Sequence, residues 1–268
     1  MLIDFHTHCF PDRLAERAIG KLKLDSGNLA PCTDGTVASL RESMRRGGVD
    51  RSAVMNIATN PRQMHAVNDF AASINGGDLI AFGSVHPDAP DALAELERIA
   101  ALGLPGVKFH PEYQGFYPDE ERMRPIYRKI SEFSLITLFH AGGDIGFASP
   151  WRAMPEQMAR ALTWFESPVV AAHWGGAYVS REVLASLCGL PIYFDTSFGY
   201  GVLPRPQALR ILEKHGCDRV LFATDTPWHS PEMELAYLDS LGLSAAEREK
   251  ITHENAENLL SGRGEGKA

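Results

Sequence analysis

Two histidines separated by a single residue end the first apolar segment of the chain, MLIDFHTH. Side chains repeat every second residue along a strand, so His6 and His8 are expected on one face together with Asp4. Two imidazoles at this spacing can chelate a hard or borderline divalent metal ion. Such a pair arises readily by chance in a sequence with ten histidines, so its position in the chain decides its meaning.

Four further ionisable residues close later apolar segments, at the ends of VKFH, TLFH, VAAH and FATD: His110, His140, His173 and Asp225. The carboxyl ends of the strands of a parallel barrel meet at one mouth, where residues distant in sequence can form a single metal site. In a closed barrel the eighth strand also neighbours the first. Asp225 is therefore predicted to lie beside His6 and His8.

Eight short apolar segments carry these residues, and each is predicted to be a strand buried on both faces, as in a parallel sheet covered by helices. They span residues 2–5, 52–57, 79–85, 106–110, 135–140, 168–173, 192–196 and 219–225. Helical patterns lie between and after them, at residues 34–46, 62–75, 91–102, 119–133, 153–166, 181–188, 204–215 and 232–241. This alternation predicts right-handed βαβ units and an α/β fold, a single-domain (β/α)8 TIM barrel over residues 1–260.

Three segments stand apart from the repeated units. Residues 10–33 form a long connection directly after the histidine pair and are expected to cover the site. A last helix over residues 244–260 is predicted to pack outside the barrel, and residues 261–268 have the composition of a flexible tail.

Composition excludes several classes of partner. The chain of 268 residues carries a net charge of −8 and has no run of five basic residues, so no nucleic-acid partner is expected. No segment approaches 18 consecutive apolar residues and the first strand begins at residue 2, so neither a membrane span nor a signal peptide is predicted, and a cytoplasmic location is expected. The four cysteines show no C-x-x-C spacing and are predicted to be reduced. A small-molecule substrate is the expected partner, and a homo-oligomer is left open.

Each candidate residue also has a structural alternative. Asp225 is interpreted as a metal ligand or as the base that deprotonates the attacking water, and its alternative is an N-cap of the following helix. His140 and His173 precede the glycine-containing turns HAGGD and HWGG, where backbone can approach a ligand closely. Their alternative is a pair of histidines hydrogen-bonded to loop carbonyls.

Lys108 shares a strand face with His110, one layer deeper, where an ammonium needs a partner or a covalent modification. Three interpretations are open: a carbamylated bridge between two metals, a cation for a substrate carboxylate or phosphate, or a structural partner of an inward acid such as Asp4. The structural and substrate roles are favoured, since nothing in the sequence demonstrates two metals. The residues predicted to contact substrate are Lys108, His110, Tyr113, Trp174 and Trp228.

Together these motifs resemble the amidohydrolase superfamily, in its amidohydrolase-related (amidohydrolase-2) branch, which also contains aromatic-acid decarboxylases and hydratases. The resemblance covers nearly the whole chain, through DFHTH, GVKFHPEYQGF, FHAGG, AAHWGG, FATDTPW and HENAENLL. It implies a barrel with one divalent metal, or two, with zinc the expected ion. It also implies the ligands of that metal, which are His6, His8, His140 and Asp225. His173 then either joins a second metal or orients the attacking water, and Lys108 lies in the strand that gives a carboxylated lysine in two-metal relatives.

The sequence therefore predicts a metal-dependent hydrolase, in which a metal-activated water attacks a small-molecule ester, lactone or amide and Asp225 or His173 takes the proton. The alternative is a metal-dependent decarboxylase or hydratase of an unsaturated or aromatic carboxylic acid, with Lys108, His110 and Arg152 as carboxylate ligands. A third hypothesis, a barrel that binds a metabolite without turnover, is disfavoured by the complete ligand set. No dinucleotide fingerprint, P-loop, G-x-S-x-G elbow or H-E-x-x-H motif supports another chemistry.

Overall fold

Eight short parallel strands form the centre of the computed structural model, which describes residues 1–262. The strands are β1 (Ile3–Thr7), β2 (Arg51–Met55), β3 (Leu79–Phe82), β4 (Gly106–Phe109), β5 (Ile136–Phe139), β6 (Val169–Ala171), β7 (Tyr193–Asp195) and β8 (Val220–Leu221). All eight overlap predicted segments, although β1 extends past residue 5 to Thr7 and β2 begins one residue early, at Arg51. The predicted tail at residues 261–268 lies outside the described residues from position 263 onward.

Twelve α-helices in the described part of the chain surround or extend the strands. They are α1 (Asp12–Asp25), α2 (Val37–Gly47), α3 (Met64–Ile74), α4 (Ala92–Ala101), α5 (Pro111–Gln114), α6 (Arg124–Glu132), α7 (Pro155–Leu162), α8 (Ser180–Ser186), α9 (Arg205–His215), α10 (Pro231–Ser240), α11 (Ala245–Glu249) and α12 (Asn255–Leu260). A π-helical turn over Lys250–Glu254 joins the last two.

The strands close into a ring through two sets of ladders and two seams. Strands β1 to β3 form one parallel ladder and β4 to β8 another. One seam is the bridge between Gly83 and Val107, and the other is the bridge between Thr7 and Thr226. At the second seam the N–H of Phe5 donates to the carbonyl of Phe222 over 2.8 Å. The strand order therefore follows the chain order around the ring, which is the predicted (β/α)8 barrel.

Strands β6 and β8 end before the predicted residues, at Ala171 and Leu221, and the backbone is left-handed at the residues of interest that follow them. His173 and Asp225 both have a φ of +59°, and Trp174 has a φ of +58°. A left-handed conformation costs a residue with a side chain of the order of 1 kcal/mol or more, so it persists only where the surroundings enforce it. The two side chains thus project from turns at the mouth and not from strands.

Strand β1 contains a register shift between Asp4 and Thr7. Ile3 and Phe5 belong to the apolar cluster inside the ring, and the next residue, His6, also faces the inside, where its Nε2 atom lies 3.2 Å from Lys108 Nζ, so alternation breaks between Phe5 and His6. The carboxylate of Asp4 instead accepts hydrogen bonds from the hydroxyl and the N–H of Thr224 on the β8 side, at 2.7 and 3.1 Å. The expectation that Asp4 shares one face with His6 and His8 by simple alternation was wrong, because the bulge reorients the strand.

The long connection over residues 10–33 contains a helix of 14 residues, α1, which buries Ala15 and Ile19. The connection crosses the barrel mouth beside β8, where the N–H of Cys32 donates to the carbonyl of Pro227 at 2.6 Å. The end of α1 approaches the loop after β5, since a methyl group added to Gly146 would lie 3.3 Å from the carbonyl oxygen of Asp25. The connection therefore borders the mouth.

The C-terminal helix covers the opposite end of the barrel. Ala256 and Leu259 of α12 belong to the same apolar cluster as Ile3 and Leu221, in the barrel interior. Asn255 fixes the helix, because its side-chain amide donates to the carbonyls of Cys217 and Val220 at 2.7 and 2.8 Å. The last helix was predicted to pack outside the barrel, whereas its apolar face closes the amino-terminal end of the ring.

Candidate active site

Three of the predicted metal ligands converge at the seam between the first and last strands. The Nε2 atom of His8 lies 2.9 Å from Oδ1 of Asp225, and the Nε2 atom of His6 lies 3.3 Å from the same oxygen. Oδ1 is buried and, despite these distances, makes no hydrogen bond to any of the described residues. The three side chains form one of the groups whose ligand atoms all lie within 4.8 Å of each other.

The second nitrogen of each histidine in this group is already used. His8 Nδ1 lies 2.7 Å from the carbonyl oxygen of Met55, which can only accept, so this nitrogen carries the proton. His6 Nδ1 lies 2.8 Å from Oδ2 of Asp195. Burial, together with the charge of Lys108, holds the pKa of His6 well below its usual range, so His6 is neutral. His6 Nε2 then carries a lone pair that accepts from Lys108 Nζ at 3.2 Å and also faces Oδ1 of Asp225, the oxygen that His8 Nε2 faces as well.

Asp195, at the end of β7, organises the neighbouring residues. Its Oδ1 atom accepts hydrogen bonds from the N–H groups of His173 and Ser197 and from the Ser197 hydroxyl, at 2.9, 3.1 and 2.5 Å. Because the hydroxyl proton goes to Asp195, Ser197 Oγ accepts from His173 Nδ1, at 2.7 Å. His173 Nε2 is thereby left as an acceptor, and it receives the Nδ1 proton of His140 at 3.0 Å.

This series of hydrogen bonds determines which nitrogen of His140 is left without a proton. With its Nδ1 proton donated to His173, the Nε2 atom carries a lone pair, and it is buried without a hydrogen-bond partner among the described residues. Burial, first of all, holds the pKa of His140 and of His173 well below the usual range, so both rings are neutral.

The donor set therefore fits a divalent cation. The Nε2 atoms of His6 and His8 and the unpartnered Oδ1 atom of Asp225 lie within 4.8 Å of one another, and Lys108 Nζ donates to the first of them at 3.2 Å. Imidazole and carboxylate donors in such a group suit a divalent cation. The unpartnered Nε2 atom of His140 is a further donor, in the group with His110 and Asp144. Two of the three rings are held in the required tautomer by a carboxylate or a carbonyl, which is the usual support of a metal-binding histidine. His173 differs, because both of its nitrogens are hydrogen-bonded and it stacks on the His6 ring at 5.3 Å.

Lys108 points into the same site and not toward Asp4. Its Nζ atom lies 3.2 Å from His6 Nε2, and the side chain is 1% exposed. Burial lowers its pKa to about 8, with Asp225 and Asp195 opposing the shift. The predicted pairing with Asp4 is not observed, because the side-chain partner of Lys108 is His6 and Asp4 is bound to Thr224.

His110 heads a second group at the mouth, with His140 and Asp144. The His110 ring stacks on that of His140 at 4.1 Å with planes 17° apart, so its in-plane lone pair cannot easily point at the same ion. Its Nε2 atom lies 3.2 Å from Oδ2 of Asp144, and Tyr113 packs edge-on against the ring at 4.4 Å. His110 and Tyr113 therefore line the mouth beside the ligand group, where a substrate contact was predicted.

A family model described as amidohydrolase (Amidohydro_2) matches residues 3–261. The chain belongs to the amidohydrolase family. In a search of curated proteins no sequence matches it. The family assignment agrees with the motifs at the ends of strands β1, β4, β5, β6 and β8.

Solved structures support the same barrel for this amidohydrolase. An uncharacterised TIM-barrel protein from Bordetella bronchiseptica has a TM-score of 0.77 at 19% identity, over 98% of this chain and 99% of that chain. A dihydroxybenzoic acid decarboxylase from Polaromonas sp., solved with manganese and an inhibitor, has a TM-score of 0.72 at 17% identity, over 97% and 96%. A putative 2-pyrone-4,6-dicarboxylic acid hydrolase from Pseudomonas putida has a TM-score of 0.67 at 18% identity, over 99% and 98%. At these identities the similarity shows the fold, and the predicted TIM barrel is confirmed.

Two predicted substrate residues of the amidohydrolase differ in their surroundings. Trp174 is 2% exposed and its indole N–H donates to the carbonyl of Thr196 at 2.8 Å, within the core between strands and helices. This packing does not support the predicted substrate contact of Trp174. Trp228 is partly exposed, and its backbone N–H donates to the carbonyl of Asp225 at 3.0 Å. Its substrate role stays a prediction.

Arg152, which was named as a carboxylate ligand, is engaged by a protein carboxylate. Its guanidinium lies 2.7 Å from Oε2 of Glu112, whose side chain is 2% exposed, and its N–H donates to Oε1 at 2.5 Å. The charge of Arg152 is thereby neutralised at the mouth of this amidohydrolase.

Sequence analysis missed Asp195, Ser197 and a buried pair on the β8 side. Asp195 ends the apolar segment IYFD, and this is the same signal that marked the other strand ends. The buried pair joins His229 Nδ1 to Oε1 of Glu234 at 2.5 Å, and Glu234 also accepts from the N–H of Tyr200. The spacing of five residues across a turn gives no sequence signal for it.

None of the helices between residues 1 and 262 is both long and apolar enough to cross a bilayer. The predicted cytoplasmic location and the open question of a homo-oligomer stay predictions.

Proposed function

We propose that this protein is a metal-dependent hydrolase that attacks the carbonyl carbon of a small-molecule ester, lactone or amide with water. Membership of the amidohydrolase family supports metal-dependent hydrolysis or decarboxylation without naming a reaction. The observation that carries the proposal is the convergence of His6, His8 and Asp225 at the seam, together with the unpartnered buried atoms Oδ1 of Asp225 and Nε2 of His140.

These four residues would hold the ion, and zinc is the proposed ion because imidazole and carboxylate donors suit it. A divalent ion in such a site supplies Lewis acidity, which acidifies water and polarises a carbonyl. Manganese is the competing choice, since a structural neighbour was solved with manganese bound.

Asp225 is the better proton acceptor of the two residues predicted for that role. Its side chain is 10% exposed and one carboxylate oxygen has no hydrogen bond, whereas both nitrogens of His173 are occupied. Asp225 would take the proton from the attacking water and return it to the leaving group. His173 would hold His140 in the tautomer whose Nε2 atom can bind a metal, and its ring would form part of the wall of the site.

Hydrolysis is preferred over decarboxylation because a carboxylic-acid substrate needs a cation at the mouth. Arg152 is neutralised by Glu112, and Lys108 lies buried against His6. The structural neighbours include decarboxylases, so the alternative is tested beside the proposal.

Chelator-stripped protein should be reloaded with Zn²⁺ or Mn²⁺ and assayed on a panel of neutral esters, lactones and amides, with carbon dioxide release from aromatic acids measured in parallel. His8→Gln should lose bound metal and at least about 100-fold in turnover, because a metal site missing one imidazole binds weakly. His65→Gln, an exposed histidine paired with Asp91 and Glu95, is the matched control and should keep both. Carbon dioxide release without hydrolysis, or full turnover of the stripped protein, would refute the proposal.

A further inference from the structure

A cavity of about 180 Å³ lies directly beside His173, outside the ligand group. Its walls come from the segments that follow β6 and β7 and from the first turns of α8 and α9. Pockets that enclose a whole drug-sized ligand measure roughly 300–1,000 Å³. This cavity therefore has room for one substituent of a substrate, held next to the reacting group.

No charged side chain lines the cavity. Of its nine residues none is aspartate, glutamate, lysine or arginine. Phe198, Val202 and Leu203 form its apolar wall, and the Phe198 ring packs edge-on against His173 at 5.3 Å. The cavity opens to solvent on the side of Tyr178, which is 51% exposed, so an ionised carboxylate seated against the apolar wall would lose part of its hydration without gaining an opposite charge.

One end of the cavity is polar but neutral. The hydroxyl of Ser180 donates to Oε1 of Gln207 at 2.5 Å, which fixes the side-chain amide. The amide NH2 of Gln207 has no acceptor within residues 1–262, while the residue lines the cavity. A free donor in a largely apolar cavity suits a neutral acceptor, such as a carbonyl or ether oxygen.

We propose that this cavity is the specificity pocket for an uncharged, partly apolar substituent that carries one hydrogen-bond acceptor, of the size of a substituted phenyl or branched acyl group, and that it rejects carboxylates. The link to catalysis rests on the proposed function, because the substituent would be seated beside the hydrolytic site. The selectivity of the pocket itself is measurable without turnover.

Phenylacetamide and phenylacetate are suitable probes, since they share one shape and differ in charge. Calorimetry or ligand-observed NMR on the metal-loaded protein should give about tenfold tighter binding of phenylacetamide, because the anion would lose hydration against the apolar wall without gaining a counter-charge. Gln207→Lys should shift the ratio of the two dissociation constants at least about tenfold toward phenylacetate, because the new ammonium supplies the missing counter-charge.

Two further variants separate shape from charge. Val202→Trp, which fills the cavity, should abolish the binding of both probes. Gln63→Lys adds the same charge at an exposed position in the 3-10 turn after β2 and should leave the ratio unchanged. Thermal unfolding of each variant should first show that it is folded.

Equal binding of the two probes, no binding of phenylacetamide at millimolar concentration, or an unchanged ratio in Gln207→Lys would overturn the inference. Failure of the proposed function looks different. Selective binding of phenylacetamide without hydrolysis of any neutral ester or amide would support the pocket and refute the hydrolase. Hydrolysis that favours anionic esters would support the hydrolase and refute the pocket.

Discussion

Replacing Asp195 with asparagine should weaken the proposed metal site without removing a ligand. Asp195 is fully buried, and its Oδ1 atom accepts three hydrogen bonds while Oδ2 accepts one from His6. Asparagine keeps one oxygen for the three donors and puts an NH2 group opposite His6 Nδ1. That nitrogen must then accept, so the proton of His6 moves to Nε2, the atom that faces Asp225.

The cost follows from the loss of one correctly oriented ligand. Removing the hydrogen-bond partner of a metal-binding histidine typically lowers metal affinity by about 10- to 100-fold, or about 1.4–2.8 kcal/mol. Calorimetric titration of chelator-stripped protein with Zn²⁺ measures the affinity, and nitrogen NMR of the histidine rings reports which nitrogen of His6 carries the proton.

Glu234→Gln is the matched control, because it removes a buried carboxylate from His229 Nδ1 outside the ligand group. It should leave the metal affinity within about twofold, as expected for a site that shares no ligand. If Asp195→Asn binds Zn²⁺ as tightly as the parent protein, or if both variants lose affinity equally, the tautomer argument fails. It also fails if His6 keeps its proton on Nδ1 in the variant.

Three other predictions concern stability. Burial raises the pKa of Asp4 from 3.8 to about 8, so between these pH values the native state keeps a proton that the unfolded state releases. The free energy of unfolding should therefore fall by up to ~1.4 kcal/mol per pH unit as the pH rises through this range. Asp4→Asn should flatten that dependence in urea denaturation, and an unaltered slope would contradict the assignment. Arg152→Ala leaves the buried Glu112 carboxylate unpaired and should cost ~1–3 kcal/mol by the same method, with no loss expected if the pair is only a surface contact. Leu259→Ala should lower the free energy of unfolding by ~2–5 kcal/mol in guanidinium denaturation, because Leu259 is 3% exposed. Leu14→Ala, at a position that is 46% exposed, should change it little. Equal effects of the two substitutions would refute the closure of the barrel by α12.

The fold was predictable because the same signal recurs along the chain. Short apolar segments separated by helical patterns specify repeated βαβ units, and the eight strands fall inside or beside the predicted ranges. Helix α1 was missed because its connection was judged by length and mixed composition, although Ala15 and Ile19 are four residues apart on one face. The bulge in β1 has no local signal, since it depends on how Asp4 bonds to Thr224, 220 residues away.

The positions of the candidate ligands were predictable, but their support was not. His6, His8, His140 and Asp225 each end or follow an apolar segment, and this places them at one mouth whatever the details of packing. The tautomers depend on Asp195 and Ser197, which act only when β7 lies beside β6. Trp174 illustrates the opposite error, because proximity in sequence to His173 suggested the mouth while the side chain packs in the core.

The position of the ligand group at the joint between the first and last strands has a consequence for biosynthesis. His6 and His8 leave the ribosome early, but Asp225 and the backbone bonds from Phe5 to Phe222 and from His8 to Thr226 require more than 200 further residues. Contacts of such separation form late and slowly. A nascent chain therefore presents only the two histidines of the ligand group, and a cation can bind to the full group only after the ring has closed. An ion bound at that point cross-links two ends of a loop of that length and should stabilise the closed barrel.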